Sequence, residues 1–319
     1  MIDPLVSVVI PTYNRAAVIT RTIENIFAQT YSNVELIVVD DGSTDDTQAK
    51  LSGFADRIRI ITQSNSGPAV ARNRGAAAAR GEIIAFQDSD DLWRPTKLTR
   101  QVALLSKYNI ATCCLCNILM GVSSGKEWTS FDDSLIHPIH SEGLWLNVSE
   151  VLATRFVLFN QTVAIRRKVF EKVGGFREDL RYLEDYDLPL RLSLEGPWAF
   201  IQEPLIIYGE SSPESFSQQA LRDTIVLREC AVRIFESLLT MVDGKVGHAS
   251  FRRLLTHRLR LLRMLRTAAK LKEANSWGAR VTGQALIGLD HYLRAAFRRS
   301  PWFPWPITTP YDDIGALHL

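Results

Sequence analysis

Short apolar runs alternate with amphipathic stretches through the first 100 residues of the chain. Runs rich in apolar and β-branched residues predict buried strands, whereas apolar side chains three and four positions apart predict helices. The strands are expected at 5–10, 34–40, 57–62 and 82–86. Such strands separated by helices are typical of a parallel sheet covered on both faces. The pattern therefore predicts an α/β fold with a mostly parallel, Rossmann-like sheet flanked by helices.

Turn and capping residues indicate where these elements begin and end. Pro11 cannot donate a backbone hydrogen bond and is expected to stop the first strand. Asn14 is expected to cap the first helix, and Asp45 or Asp46 the second. The apolar face of the first helix would consist of Ile19, Ile23, Ile26 and Phe27.

Charge is unevenly distributed along the chain. The 319 residues carry a net charge of +2, but residues 221–319 contribute +8 and residues 1–220 contribute −6. The change coincides with a stretch rich in Ser, Pro and Gln at 209–219, which is typical of a loop or linker. We therefore predict two units, 1–212 and 213–319, of which the second is basic and helical.

The basic unit contains an amphipathic stretch at 251–271. Its apolar face consists of Phe251, Leu254, Leu255, Leu262, Leu265 and Ala269, and its basic face of Arg252, Arg253, Arg260, Arg263 and Lys270, with Arg258 as an exception. Such a helix can lie on an anionic membrane, with "SPWFPWP" at 300–306 as an aromatic anchor. Packing of the apolar face against the rest of the chain or a second subunit is the favoured alternative, because apolar stripes usually belong to a core.

Composition excludes several classes of protein. The chain is 46% hydrophobic and 23% charged, as ordinary globular proteins are, and no apolar run is long enough to span a bilayer. Its beginning lacks the basic region and cleavage site of a signal peptide, so we expect a cytoplasmic protein. We expect no nucleic-acid partner. The four cysteines fit reduced core thiols. A zinc site of Cys113 and Cys116 with His137 and His140 is a less favoured alternative.

Acidic residues gather after two of the predicted strands. Asp40 and Asp41 follow the second strand, and Asp88, Asp90 and Asp91 follow the fourth. Ligands bind beyond the carboxyl ends of parallel strands, so these carboxylates should share one edge. Two charges about 4 Å apart repel by roughly 4 kcal/mol near a protein surface, which favours a bound cation, although turn and cap formation is the simpler explanation.

The sequence also lacks the usual means of holding phosphate. Neither G-x-x-x-x-G-K-[ST] nor G-x-G-x-x-G occurs, and the EF-hand pattern fails after Asp88. A divalent metal ion on the clustered carboxylates is therefore the expected phosphate-binding device.

Five segments together resemble the inverting glycosyltransferases of family 2, which have the GT-A fold. In chain order, within residues 5–208, they are "VSVVIPTYNR", "VVDDGSTDDT", "GPAVARNRG", "FQDSDDLW" and "VGGFREDLRYLEDYDLPLRL". The resemblance implies a GT-A catalytic domain in 1–212, a nucleotide-sugar donor, a Mn²⁺ or Mg²⁺ ion on the Asp-x-Asp motif, and an Asp that acts as general base. It leaves the acceptor open.

The resemblance also implies roles for residues that bind the donor. Pro11 and Tyr13 match the turn that contacts the nucleoside, with Tyr13 supplying a stacking face. Asp41 matches the acid that recognises the edge of the base. Arg72 matches a basic residue near the base or phosphate, and Arg74 competes for that role.

Further roles concern the metal and the chemistry. Asp88 would lie toward the ribose and the metal, and Asp90 would coordinate the ion. Asp185 matches the general base, with Glu184 as the alternative. Many relatives carry an Arg-x-His-like segment where this chain has Gly209 and the residues after it, so a histidine ligand is not expected there.

These expectations combine into one function with alternatives. We expect an inverting transferase that moves a sugar from a nucleotide-diphosphate sugar, UDP-sugar ahead of GDP- or dTDP-sugar, to a hydroxyl of a glycan or lipid-linked saccharide. A catalytically silent nucleotide-sugar-binding or scaffold protein is the main alternative. A nucleotidyltransferase is disfavoured because the turn after the first strand lacks glycines. Peripheral contact with the inner face of the membrane, or a homo-oligomer through the C-terminal helices, is also expected.

Overall fold

The computed structural model describes residues 3–157, 159–209, 220, 222–244 and 248–273. Its strands are β1 (Val6–Thr12), β2 (Val34–Asp40), β3 (Arg59–Thr62), β4 (Ile83–Phe86), β5 (Leu92–Trp93), β6 (Cys113–Met120), β7 (Trp128–Thr129), β8 (Glu142–Trp145), β9 (Val163–Arg166) and β10 (Trp198–Ile207). Its helices are α1 (Ile19–Phe27), α2 (Thr47–Ser52), α3 (Pro68–Ala78), α4 (Lys97–Lys107), α5 (Ser130–Asp133), α6 (Val148–Leu152), α7 (Arg167–Lys172), α8 (Glu184–Leu192), α9 (Thr224–Val242) and α10 (Ala249–Glu273).

The strands form one mixed sheet in the order β3-β2-β1-β4-β9-β6-β10-β5, with β7 beside β6 and β8 beside β10. Strands β1 to β4 are parallel neighbours, and β6 and β10 run in the same direction. Strand β9 lies antiparallel between β4 and β6. The predicted α/β fold with a mostly parallel sheet is therefore confirmed. The antiparallel strands, all of them after β4, have no counterpart in the prediction.

The first strand continues through Pro11 to Thr12, so the prediction that Pro11 stops it is wrong. Backbone groups of β1 point alternately to its two neighbours. The carbonyl of Val9 accepts from Gln87 N on the β4 side, whereas that of Thr12 accepts from Asp41 N on the β2 side. By this alternation Pro11 faces the β4 side beyond Val9, the last residue of β1 that pairs with β4. The missing N–H of proline therefore removes no ladder hydrogen bond.

Helix α1 begins later than predicted and is not capped by Asn14. Asn14 is left-handed, with φ 51°, and its side-chain oxygen accepts from Thr44 N at 2.8 Å. That bond joins the turns after β1 and β2. Phe27 is 36% exposed and lies under the guanidinium of Arg57, at 3.8 Å from the ring centroid. The predicted isoleucines of the apolar face are buried, namely Ile19, Ile23 and Ile26.

Helices cover both faces of the sheet, because alternate side chains of a strand point to opposite sides. Val8 and Ile10 pack with residues of α1 and α4 in one apolar cluster. Val9 packs with residues of α3, α9 and α10 in the other. The sheet is thus the middle of three layers.

The two C-terminal helices share this core. Phe235 of α9 and Phe251 and Leu255 of α10 are buried in the same cluster as Phe159. The apolar face of α10 therefore packs against the rest of the chain, the alternative favoured from the sequence. Most of the predicted linker, 210–219, lies outside the described residues, and the division into two domains stays a prediction.

Two findings concern the membrane. None of the helices in the described ranges is long and apolar enough to cross a bilayer. The aromatic segment at 300–306 lies outside those ranges. The arginine-rich face of α10 is exposed, with Arg252, Arg253 and Arg260 among its residues.

All four cysteines are buried free thiols, as predicted. Burial raises the pKa of Cys113 well above its usual value and that of Cys116 to about 11, so both stay protonated at neutral pH. His137 and His140 are exposed. No three His, Cys, Asp or Glu side chains in the part of the chain that the structure describes form a group that could hold a metal. The zinc alternative is therefore wrong.

Candidate active site

The carboxyl ends of β1, β2 and β4 meet at one rim of the sheet. Thr12 at the end of β1 is in register with Asp40 at the end of β2, and β4 lies on the other side of β1. The turns after these strands carry the predicted donor-binding residues. The topology therefore brings three separate sequence motifs to adjacent turns.

Asp41 holds the turn between β3 and α3. Its Oδ1 accepts from Gln63 Nε2 and Ser66 N, and its Oδ2 from Gly67 N, each at 2.8 Å. The residue is 5% exposed. A carboxylate accepts about four hydrogen bonds, so one acceptor position remains for a ligand. Asp41 thus organises the rim, and its recognition of a base stays a prediction.

Tyr13 presents an aromatic ring to solvent at this rim. Its side chain is 43% exposed, whereas Pro11 at the end of β1 is half-buried. The neighbouring Asn14 N donates to Ser43 Oγ at 2.9 Å, which fixes the Tyr13 turn against the turn after β2. An exposed, anchored aromatic ring fits the predicted stacking on a nucleobase.

Asp91 anchors the acidic loop after β4. It is 2% exposed, its Oδ1 accepts from Gly209 N at 2.7 Å, and its carbonyl accepts from Gln87 Nε2 at 2.6 Å. Burial raises the pKa of Asp91 well above its usual value. Asp88 and Asp90 are half-buried, and burial followed by repulsion from Asp88 raises the pKa of Asp90. Asp91 therefore holds the loop, while Asp88 and Asp90 remain accessible to a ligand.

Gly209 packs directly on the acidic loop. A Cβ at this position would lie 2.3 Å from the Asp90 carbonyl oxygen. We expect Gly209→Ala to displace the loop and lower the free energy of unfolding by about 1–3 kcal/mol, as overpacking does, measured by urea denaturation. Gly53→Ala is the matched control, because Gly53 is helical and the nearest atom to its Cβ would be 3.4 Å away. Unchanged stability of Gly209→Ala would contradict the close approach.

Arg72 joins the two acidic clusters of the chain. Its guanidinium nitrogens lie 2.7 Å from Asp88 Oδ1 and 3.1 Å from Glu184 Oε1. Arg72 is 6% exposed, and the ring centroid of Phe176 is 5.5 Å from its guanidinium carbon. The arginine therefore supplies positive charge to carboxylates that lie far apart in sequence. Its predicted contact with the donor stays a prediction, while Arg74 on the same helix is exposed.

Glu184 and Asp185 begin α8 beside an uncommon backbone conformation. Leu183 is left-handed, with φ 68°, which costs a non-glycine residue roughly 1–3 kcal/mol. Burial raises the pKa of Glu184, and Arg72 opposes that rise. Burial and the charge of Glu184 raise the pKa of Asp185 to about 7. Asp185 is partly exposed, so a carboxyl that exchanges a proton near neutral pH is open to a ligand.

Contacts with other elements fix the start of α8. Asp187 accepts from Arg191 Nε at 2.7 Å, and Arg191 also donates to two carbonyls of the preceding loop. The Tyr186 hydroxyl donates to the Leu152 carbonyl at 3.0 Å. Arg258 of α10 is hydrogen-bonded to Tyr186 and opposes the burial that raises the pKa of that tyrosine. This contact explains why an arginine interrupts the apolar face of α10.

Sequence reasoning did not identify two arginines near Asp90. The charges of Arg15 and Arg21 lower the pKa of Asp90 and so oppose its burial. Arg15 N donates to Thr47 Oγ1 at 2.8 Å, which ties the turn after β1 to α2. Arg15 lies in the segment "IPTYNR", which the sequence analysis used as a motif, so it could have been identified from the sequence. Arg21 lies within α1, outside any of the motifs, and could not.

The pair Asp88 and Asp90 fits a divalent cation that is shared with a ligand. Burial and then the charge of Asp88 raise the pKa of Asp90, and a bound cation would favour its ionised form. Within the described ranges no third acidic, His or Cys side chain joins them in a metal-holding group. Magnesium is commonly bound by one or two carboxylates with water and substrate phosphates, and carboxylates also suit manganese.

Comparison with known proteins identifies the family. Residues 7–174 match the family described as "Glycosyl transferase family 2". The chain belongs to this family. The match contains the turns after β1, β2 and β4 and helix α3, and it ends before Glu184 and Asp185.

Several curated proteins are similar to this family 2 chain over part of their length. An uncharacterized glycosyltransferase of Rickettsia felis is 32% identical over 206 residues, which are 64% of this chain and 34% of that protein. The UDP-Glc:alpha-D-GlcNAc-diphosphoundecaprenol beta-1,3-glucosyltransferase WfgD of Escherichia coli is 43% identical over 113 residues, 35% of this chain and 45% of that protein. The chain spans between 34% and 63% of the length of three Rickettsia relatives.

Solved structures share the fold. TarS of S. aureus, residues 1–349 in complex with UDP-GlcNAc, has a TM-score of 0.63 at 19% identity, over 89% of this chain and 80% of that one. The mannosyltransferase PcManGT of Pyrobaculum calidifontis, in complex with GDP-Man and Mn²⁺, has a TM-score of 0.56 at 20% identity, over 91% and 80%. These likenesses confirm the predicted GT-A fold.

Proposed function

We propose that this family 2 protein transfers a sugar from a UDP-sugar to a hydroxyl of a glycan or lipid-linked saccharide, with inversion at the anomeric carbon. Family membership supports the reaction type. The name of WfgD, with UDP-Glc as donor and a diphosphoundecaprenol-linked acceptor, and the complex of TarS with UDP-GlcNAc support the donor and acceptor classes. A lipid-linked acceptor would also agree with the predicted location in the cytoplasm, at the inner face of the membrane.

The main support for the proposal is the difference in ion pairing, pKa and exposure between the two carboxylates that begin α8. Glu184 is bound to Arg72, whereas Asp185 has a pKa of about 7 and is partly exposed. A general base is most effective when its pKa lies near the working pH. Asp185 is therefore the proposed base, and Glu184 is proposed to position it.

The proposed step is a single displacement. The acceptor oxygen forms a bond to the anomeric carbon as the bond from that carbon to the diphosphate oxygen breaks on the opposite side. The proton of the acceptor hydroxyl moves to a carboxylate oxygen of Asp185, and the nucleoside diphosphate leaves with the electron pair. Arg72 favours the ionised form of Glu184 beside the base, and the charge of Glu184 adds to the burial that raises the pKa of Asp185.

The rim residues are proposed to bind the donor. Tyr13 would stack on the base, with Pro11 beside it and Asp41 at the edge of the base. Asp88 and Asp90 would hold a Mn²⁺ or Mg²⁺ ion, for which the Mn²⁺ complex of PcManGT gives support. When bound, such an ion stabilises negative charge that develops on the leaving diphosphate.

A donor panel tests the function. The full chain is incubated with UDP-, GDP- and dTDP-sugars and lipid-linked or glycan acceptors, with and without Mn²⁺, and released nucleoside diphosphate is measured. Release that requires an acceptor supports transfer. Donor binding without turnover on any acceptor would instead support the alternative, a catalytically silent nucleotide-sugar-binding protein.

Thermal unfolding tests the metal and donor assignment without turnover. A ligand at about 100 times its Kd stabilises the native state by roughly 2.7 kcal/mol, so Mn²⁺ with UDP should raise Tm by about 4 °C. Asp90→Asn should remove most of the Mn²⁺-dependent part of that rise. Asp56→Asn, at an exposed position of the α2–β3 loop, is the control and should retain it. An unchanged Tm across all nucleoside diphosphates would contradict the donor assignment.

A further inference from the structure

A groove lies between the end of α9 and the first turns of α10. It has a volume of about 670 Å³ and is lined by Val242, Gly244, His248, Ala249, Arg252, Arg253, Thr256, His257 and Arg260. We call it the basic groove. It contains three arginines and two histidines and no acidic lining residue among those described.

The arginines of the basic groove differ in their ion pairing. Arg252 pairs with Asp243 at 2.9 Å. Farther along α10, Arg263 pairs with Glu236 at 2.7 Å. Arg253 and Arg260 are exposed and have no acidic partner within 4.0 Å in the described part of the chain. The groove therefore displays positive charge that no acidic side chain in the described ranges neutralises.

The position of these cations on α10 decides how they can be used. Arg253, His257 and Arg260 are spaced as one stripe of a helix, on the side opposite the buried Phe251 and Leu255. The apolar side packs in the core, where Phe251 and Leu255 are buried, so α10 is not free to insert that side into a bilayer. The exposed stripe of Arg253, His257 and Arg260 therefore fits a negatively charged ligand that binds at the protein surface.

We propose that the basic groove binds the phosphate-bearing headgroups of an anionic phospholipid membrane. The groove is much larger than one phosphate ion, and its cationic side chains are exposed. These features fit a membrane surface with many headgroups better than they fit one small anion. Contact is electrostatic and lies at headgroup level, because basic residues are attracted to anionic lipids within a Debye length of the surface. This binding mode replaces the insertion of an amphipathic helix that the sequence suggested.

The helix that carries the basic groove also contacts α8. Arg258, on the inner side of α10, is hydrogen-bonded to Tyr186, the residue after the proposed base Asp185. Helix α10 therefore lies between the groove and the helix that begins with Glu184 and Asp185. A membrane bound at the groove would hold the protein through the face of α10 that points away from α8.

Vesicle flotation of the full chain tests the proposal and needs neither donor nor acceptor, so its failure leaves the proposed transferase activity untouched. The chain should float with vesicles of phosphatidylglycerol and phosphatidylcholine, but not with pure phosphatidylcholine, and less at higher salt. Arg253→Gln with Arg260→Gln should lower the partition coefficient about 25-fold, since each basic residue near an anionic surface contributes roughly fivefold. Circular dichroism and Tm show whether the double variant is folded.

The matched control removes two positive charges elsewhere. Lys50→Gln with Lys168→Gln, at exposed positions of α2 and α7, should bind vesicles as the parent does. Equal loss in both double variants, or no dependence on anionic lipid, would overturn the proposal. So would stabilisation by soluble pyrophosphate that needs Arg253 and Arg260 while vesicles are not bound, because the groove would then hold a free diphosphate.

Discussion

Asp185→Asn should lower the rate of sugar transfer by about 10²- to 10⁴-fold and leave the affinity for the donor almost unchanged. The amide has nearly the shape of the carboxyl group but cannot take the acceptor proton, so the loss falls on the chemical step. Single-turnover kinetics with saturating acceptor, together with donor titration by calorimetry, separates the two quantities.

The same residue should set the pH dependence of the parent enzyme. Only ionised Asp185 accepts a proton, and its pKa is about 7, so the transfer rate should rise as the pH increases through that value.

The contribution of Asp185 to the free energy of unfolding should fall over the same pH range. A carboxyl with a raised pKa contributes stability that is present below its unfolded value near 4 and lost as the pH rises through 7. Asp185→Asn should therefore be more stable than the parent at pH 8 and not at pH 4.

Glu184→Gln is the control for the assignment of the base. Removing the negative charge of Glu184 should lower the pKa of Asp185, because that charge helps to raise it. The pH midpoint of transfer should then move below 7, with activity retained above it. If Glu184→Gln abolishes proton transfer and Asp185→Asn does not, the two roles are exchanged and our assignment is wrong.

Arg72→Gln should lower the free energy of unfolding by about 3 kcal/mol. Removing one partner of a buried ion pair leaves an uncompensated charge and costs about 3–5 kcal/mol. Glu184 is buried, but the side chain of Asp88 is 28% exposed, so we expect the lower end of that range. Urea denaturation at pH 8 measures the loss, which should shrink at lower pH as the buried Glu184, whose pKa is raised by burial, takes up a proton.

Arg74→Gln is the matched control on the same helix. Arg74 is exposed, and its hydrogen bond to Gln63 is long, 3.4 Å, so its removal should change stability by less than about 0.5 kcal/mol.

Arg72→Gln should also move the pH midpoint of transfer above 7, since Arg72 lowers the pKa of Asp185. A stable Arg72→Gln variant with an unchanged midpoint would contradict the role of Arg72 as counter-ion of both clusters.

The strands and helices of the first 90 residues could be predicted because their signals are local. The apolar runs of β1, β2 and β4 and the spacing of Ile19, Ile23 and Ile26 depend only on near neighbours in sequence. Capping and strand ends were less predictable. Pro11 continues β1 because β4 pairs no farther than Val9, which is a property of the neighbouring strand.

Local hydrophobic patterns could not predict the order in which the strands after β4 join the sheet. Strand β9 inserts antiparallel between β4 and β6, and β5 pairs with β10 across more than 100 positions of sequence. Which strands become neighbours depends on how whole layers pack. The apolar face of α10 shows the same limit, because its pattern was compatible with a membrane, a second subunit or the core.

By itself the sequence determined the family, the α/β fold and the identity of the acidic residues at the rim, since motif residues and strand periodicity are local properties. Only the tertiary structure decided how their charges are balanced. Arg72 meets Asp88 and Glu184, Asp91 meets Gly209, and these pairs are far apart along the chain. The ionisation of Asp185 follows from burial and from those neighbouring charges, so no stretch of sequence could reveal it.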